Sequence, residues 1–190
     1  QEVVFLMDRF GYAKTIDPAA YERNKGAADG ENKYIVNCMN TGRICVFTAD
    51  GKMHQIKVQE LPFGKFRDKG VPIDNVSNYD STQERIVYLC DAEQLRYAKF
   101  LFATKQGMIK KVEGSEFQVT KRTIAATKLQ DGDEVISVQI INDNRQIVLQ
   151  TMEGFFLKFP AEEVPEKKKG AIGVRGIRLK KKDELENVYL

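Results

Sequence analysis

Phe100–Val112 reads FLFATKQGMIKKV. Four apolar or small residues in an extended run lead to Thr104, two polar residues follow, and Gly107 precedes a second apolar-basic run. This is the pattern of a strand, a tight turn and a returning strand. Gly107 suits a turn position that needs positive φ, where a Cβ would be strained. The phrase recurs at Phe47-Thr48-Ala49-Asp50-Gly51 and at Leu149-Gln150-Thr151-Met152-Glu153-Gly154. A degenerate copy, Phe5–Gly11, carries Asp8 in place of the threonine. The turn glycines 11, 51, 107 and 154 are 40, 56 and 47 residues apart. A period of roughly 40–50 residues with several strands per unit is the mark of a blade repeat. The competing reading is an antiparallel sandwich with coincidental turns, but four related hairpins at similar spacing favour repeats. The threonine hydroxyl is expected to cap each turn.

The units read approximately as 1–39, 40–92, 93–141 and 142–190, one domain over 1–190. Pro62 ends regular pairing, because proline cannot donate to a central ladder, and Pro160 and Pro165 mark a loop before Lys167–Gly170. Further strands are expected at Val71–Val76, Phe117–Val119, Ile124–Leu129 and Ala171–Leu179, and a short helical turn at Ala92–Ala98. The polar stretch Tyr21–Gly30 is too rich in glycine and charge for a core strand. No convincing amphipathic helix exceeds two turns, so the chain reads as all-β.

Composition narrows the function. With 42% hydrophobic and 30% charged residues, the chain can bury a core of its own. No apolar run approaches the roughly 20 residues needed to span a bilayer. The opening QEVVFLMDRFG lacks a basic leader and enters a strand at once, which reads as a cut within a longer chain. Cys38, Cys45 and Cys90 lie in apolar strands and read as buried hydrophobes in a reducing compartment. His54 is the single histidine and there is no CxxC pair, which argues against a metal site and against Ser-His or Cys-His catalysis. There is no phosphate-binding glycine loop. His54 itself reads as an exposed strand residue.

The formal charge of +3 is modest, but its distribution is uneven. Residues 1–95 carry 12 basic and 14 acidic side chains, a balance of −2; residues 96–190 carry 18 and 13, a balance of +5. Each unit sends a basic, glycine-bearing stretch away from its core. These are Arg23 and Lys25; Lys65, Arg67 and Lys69; Lys121, Arg122 and Lys128; and Lys167, Lys168, Lys169, Arg175 and Arg178. If units pack around an axis, these side chains recur at one radius and form a stripe that tracks phosphates by counterion release, without reading sequence. The bland alternative for any one lysine is a solvated loop, and Lys180–Lys182 are read that way. Lys110 and Lys111 alternate along a strand, so at most one faces a partner. Tyr12, Tyr21, Phe63 and Phe66 read as core in preference to a stacking surface.

Three phrases carry a family resemblance: Gly170-Ala171-Ile172-Gly173-Val174-Arg175-Gly176-Ile177-Arg178-Leu179 followed by Asp183-Glu184-Leu185; Phe47–Lys52 continuing through Lys57–Pro62; and Lys69-Gly70-Val71-Pro72-Ile73. In this order they resemble the C-terminal domain of the A subunits of bacterial type IIA topoisomerases, across nearly the whole chain. The resemblance implies a β-pinwheel, a propeller-like ring of about four repeated four-stranded blades, whose basic rim binds and bends duplex DNA. It implies a parent bacterial enzyme, cytoplasmic and nucleoid-associated. The breakage-reunion domain on the same chain, the partner ATPase, and the ATP and Mg they use all lie outside this fragment, which holds no catalytic residue, cofactor or membrane partner. The gyrase type carries a Gln-Arg-Arg-Gly-Gly box. Here Glu22-Arg23-Asn24-Lys25-Gly26 keeps only part of it, which favours the topoisomerase IV type. Two other classes compete. A protein-docking propeller lacks the Trp-Asp and Gly-His signatures of its commonest form here. A propeller enzyme needs converging carboxylates, whereas the acidic residues lie mostly in turns.

Overall fold

The computed structural model describes residues 1–190. In chain order the first strands are β1 (Glu2–Met7), β2 (Tyr12–Ile16), β3 (Tyr34–Met39), β4 (Arg43–Thr48) and β5 (Lys52–Lys57). There follow β6 (Phe63–Gly64), β7 (Val71–Pro72), β8 (Ile86–Asp91), β9 (Lys99–Thr104), β10 (Met108–Glu113) and β11 (Thr123–Ala125). The last are β12 (Val135–Ile141), β13 (Gln146–Thr151), β14 (Phe156–Pro160), β15 (Val174–Arg175) and β16 (Leu185–Tyr189). Two short helices, α1 (Pro18–Arg23) and α2 (Lys25–Glu31), stand between β2 and β3. The architecture is all-β.

Each repeat begins with a hairpin whose turn is built alike. Gly11, Gly51, Gly107 and Gly154 have φ of +88°, +82°, +87° and +90°, the left-handed region that glycine enters without strain. The capping expected of threonine is present. Thr48, Thr104 and Thr151 Oγ1 accept the backbone N–H four residues on, at 3.2, 3.1 and 3.1 Å. In the degenerate first copy Asp8 Oδ1 takes the equivalent donor, Tyr12 N, at 3.0 Å. One acceptor at the head of the turn is the requirement, and either side chain meets it.

The sheets cut across the sequence boundaries of the repeats. Blade 1 has the order β3-β1-β2, with β6 and β7 both on its outer edge. Blade 2 has the order β11-β5-β4-β8, blade 3 is β12-β9-β10-β15, and blade 4 is β14-β13-β16. The outer strand of each of the first three blades therefore comes from the repeat that follows. Short segments do this work. Of the stretch Val71–Val76 only Val71–Pro72 is strand, followed by a 3-10 turn at Ile73–Asn75, and of Ala171–Leu179 only Val174–Arg175. Ile124–Leu129 contributes only the end of β11, and Phe117 closes a 3-10 turn, Gly114–Phe117, where a strand was expected. The Ala92–Arg96 turn is 3-10, near the position expected.

The core lies between blades. Phe5, Met7 and Ala13 of blade 1 pack on Ile44, Val46 and Ile56 of blade 2. Phe47 then meets Phe100, Phe102 and Phe117 of the third repeat with ring centroids 5.2–6.1 Å apart. Leu101 and Ile109 continue the stack against Ile147 and Leu149 of blade 4. The far face of blade 1 is covered by Ala20 and Ala28 of the helices and by Phe66. All three cysteines are free and buried, and burial pushes the Cys38 and Cys45 thiols up to about 12. No helix is long and apolar enough to cross a membrane.

Candidate nucleic-acid interface

The strand exchange places the basic stretches. After each of the last three hairpins the chain crosses to the outer edge of the preceding blade, and the crossovers carry the lysines and arginines. Lys65, Arg67 and Lys69 lie between β6 and β7. Lys121 and Arg122 immediately precede β11, and Lys128 follows it. Lys167–Lys169 precede β15, Arg175 is in it, and Arg178 follows. Three equivalent outer edges on successive blades thus bear the predicted side chains. All of them are exposed except Lys169, which is half-buried.

Few of them are ion-paired, a state they share with Arg9, Lys33, Lys57, Arg145, Lys158 and Lys180–Lys182 elsewhere on the chain. Of the crossover cations only Lys168 comes within ion-pair distance of a carboxylate, 3.9 Å from Glu116. Elsewhere, Lys52, Arg85, Arg96 and Lys105 pair with Asp50, Glu134, Glu93 and Glu184, and Lys99 with Glu166. The crossover cations keep their charge available to an anion in solution.

Arg23 and Lys25 sit on a different element. Glu22–Gly26 spans the end of α1 and the start of α2, with Asn24 between. Arg23 nevertheless joins the first crossover, because it lines one open cleft of about 670 Å³ with Lys65, Arg67, Phe63 and Phe66. Lys25 is exposed but is not part of that cleft. Phe66 is buried, as expected, with Arg67 Cζ 5.5 Å from its ring centroid. Phe63 and Tyr12, expected in the core, are 57% and 48% exposed, and Tyr21 is half-buried. For Phe63 the reason is local: β6 is a two-residue strand on the outer edge, with nothing beyond it.

The crossovers are held from below by side chains of the hairpin they cover. In the second, Gln55 Nε2 donates to Val119 O at 2.8 Å and Lys121 O at 2.7 Å, and Arg43 Nη1 adds a bond to Val119 O at 3.2 Å. In the first, Lys14 Nζ on β2 donates to the carbonyls of Phe66 and Asp68, and within the crossover Asp68 Oδ2 accepts Lys65 N at 2.8 Å. One expectation is corrected here. His54 is buried, not exposed: Nε2 is 2.7 Å from Glu84 Oε1 and Nδ1 is 2.8 Å from Thr123 Oγ1 on β11. Lys110 is buried under the approach to β15, and Lys111, on the opposite face, is buried too. Lys111 Nζ meets Asp143 Oδ1 at 2.7 Å, and that bond holds the Asp143 carboxyl below the usual carboxylate range.

The comparisons with known proteins follow the same repeats. The family model described as DNA gyrase C-terminal domain, beta-propeller, matches residues 42–89, 98–142 and 145–190. The chain belongs to this family. Each matched segment begins at or just before a hairpin and ends near the third strand, so the gyrase C-terminal domain repeat coincides with the second, third and fourth units. The DNA gyrase A protein of Lawsonia intracellularis is 32% identical over 195 residues, covering 97% of this chain and 24% of that protein. The DNA gyrase A protein of Helicobacter pylori strain ATCC 700392 / 26695 is 30% identical over 195 residues, covering 96% and 24%. The chain thus spans about a quarter of the length of these relatives. Among solved structures, the C-terminal domain of DNA topoisomerase IV superposes with a TM-score of 0.87 at 24% identity, over 99% of this chain and 60% of the other. The DNA gyrase A C-terminal domain gives 0.63 at 21% identity, over 99% and 64%. These likenesses establish the pinwheel fold.

Proposed function

We propose that this chain is a duplex-DNA binding and bending module of a bacterial type IIA topoisomerase, presenting a DNA segment to a breakage-reunion domain elsewhere in the parent polypeptide. The observation that carries this reading is the set of exposed, nearly unpaired cations carried by each of the three crossovers. Phosphates neutralised by such side chains release counterions, so log K falls against log salt by about 0.9 per contact. Bending a few tens of base pairs costs on the order of 1–6 kcal/mol, which several contacts together offset. Phosphate contacts do not read bases, so binding is indifferent to sequence. The parent enzyme is cytoplasmic, acts with a separate ATPase protein and supplies ATP and Mg chemistry outside this chain.

Between the two enzyme types our reading is topoisomerase IV, on the incomplete box at Glu22–Gly26. The gyrase type is the second reading, favoured by the names of the sequence relatives. A relaxed plasmid incubated with the chain and a nicking-closing enzyme separates them. A shift in linking number of constant sign supports the gyrase type, and no shift supports ours.

The direct test is a titration of a duplex of about 40 base pairs carrying an energy-transfer pair at its ends, at several salt concentrations. Steeply salt-dependent binding that brings the ends together is expected. Arg67→Glu, Arg122→Glu and Arg175→Glu should each weaken binding and flatten the slope. Absence of binding at low salt sinks the proposal.

A further inference from the structure

The third residue after each turn glycine occupies the same register on the second hairpin strand: Lys14, His54, Lys110 and Leu157. In the first three blades its side chain reaches the crossover that covers it. Lys110 is the most complete case, at 1% exposure. Its Nζ donates to the carbonyls of Lys168 at 2.9 Å, Lys169 at 3.2 Å and Ala171 at 2.6 Å. An ammonium has three N–H donors, and all three are taken by the backbone of one basic loop. Lys14 does the same in blade 1, donating to the carbonyls of Phe66 and Asp68, the latter at 2.9 Å. His54 reaches Thr123, beside Arg122. Only Leu157 has no crossover above it, and it is 40% exposed.

The consequence for the loop is directional. Carbonyl dipoles drawn inward to a buried cation are removed from the surface on which phosphates would sit. The side chains of Lys167 and Lys168 are left exposed on the other side. The loop amides are fixed as well: Lys167 N donates to Lys111 O at 2.8 Å and Lys169 N to Glu116 Oε1 at 2.9 Å. Three adjacent lysines repel one another, so an unclamped loop spreads its charges. The hairpin itself does not ask for a charge at this register, since blade 4, which has no crossover, forms the same hairpin with leucine. Burial also pushes the Lys110 amine down to about 8, against the partial support of Glu116.

We infer that Lys110, and Lys14 in blade 1, are positioning residues that set the basic crossovers 165–171 and 65–69 in the geometry that accepts phosphates. This rests on the DNA-binding reading above. Neither amine touches DNA; each acts through the loop it holds.

The experiment is a mutant cycle between Lys110→Met, which keeps the aliphatic stem and drops the donors, and the triple variant Lys167→Ala, Lys168→Ala, Lys169→Ala. Duplex affinity is measured over a salt series and amide hydrogen exchange is followed at Lys169 and Ala171. Lys110→Met alone should flatten the salt slope by about 2, more than the 0.9 one phosphate contact could account for. It should speed exchange at Lys169 and Ala171 while Phe102 and Val112 stay protected. In the triple background it should change binding no further, because the loop through which it acts has lost its charges. An unchanged slope, or a full additional loss in the triple background, overturns the inference. If Lys110→Met fails to fold, Lys14→Met, at a half-buried site, is judged by the same slope and by exchange at Lys65 and Asp68. If the unaltered chain binds no duplex at all, the DNA reading and this inference both fall, and faster exchange at Lys169 then marks the clamp as architecture alone.

Discussion

Blades 3 and 4 start from the same hairpin and end differently. Both turns carry a threonine, a positive-φ glycine and the same hydroxyl cap, at 3.1 Å in each. Yet Ile109 and Lys110 are 3% and 1% exposed, while their counterparts Phe156 and Leu157 are 63% and 40% exposed. The difference is one two-residue strand, Val174–Arg175, and the crossover that brings it to the edge of β10. A blade's hairpin is therefore set locally, and its burial is conferred by its neighbour.

The comparison can be broken most decisively in the core. Ile109→Ala removes a buried side chain and should destabilise by about 2–5 kcal/mol in denaturant unfolding. Phe156→Ala at the matching position should stay within about 0.5 kcal/mol in this chain. Similar losses at the two sites would mean that the β14 edge is covered in solution.

A smaller contrast is expected at the turns. Gly107→Ala and Gly154→Ala both force a left-handed alanine, at about 1–2 kcal/mol. At Gly107 the new methyl also lies 3.0 Å from the Ile177 carbonyl, whereas at Gly154 it meets open space. Thermal unfolding should rank Gly107→Ala below Gly154→Ala, and the reverse order contradicts the packing described.

Lys110 should mark blade 3 in a pH series. The folded chain has released this proton above about 8, while an unfolded lysine keeps it to 10.5. Between these values the unfolded state binds more protons, so this group's contribution to stability rises with pH, by up to about 3 kcal/mol. Lys110→Met should remove that rise, and Leu157→Met in blade 4 should leave it.

The caps should show the least difference. Thr104→Ala and Thr151→Ala each delete one turn hydrogen bond and should cost similar amounts, about 0.5–1.5 kcal/mol. A large gap between them would mean that the caps depend on the crossover as well.

These contrasts follow the line between what was legible in the chain and what was not. Gly11, Gly51, Gly107 and Gly154, with Asp8 and the three threonines, announced four hairpins because φ and a four-residue hydrogen bond are local properties. The basic stretches were legible as well, since exposed charge clusters read directly from composition. What the sequence determined by itself was the repeat, its all-β character and the exposed basic stretches. Tertiary structure alone decided which blade each short strand joins. Val71–Pro72 and Val174–Arg175 are too brief to show a periodicity, and they pair with residues far away in sequence. It also decided the fate of His54, Lys14 and Lys110, which local alternation could not assign. A polar side chain is buried when acceptors arrive to receive it, and the carbonyls that receive Lys110 lie 58 to 61 residues further along the chain.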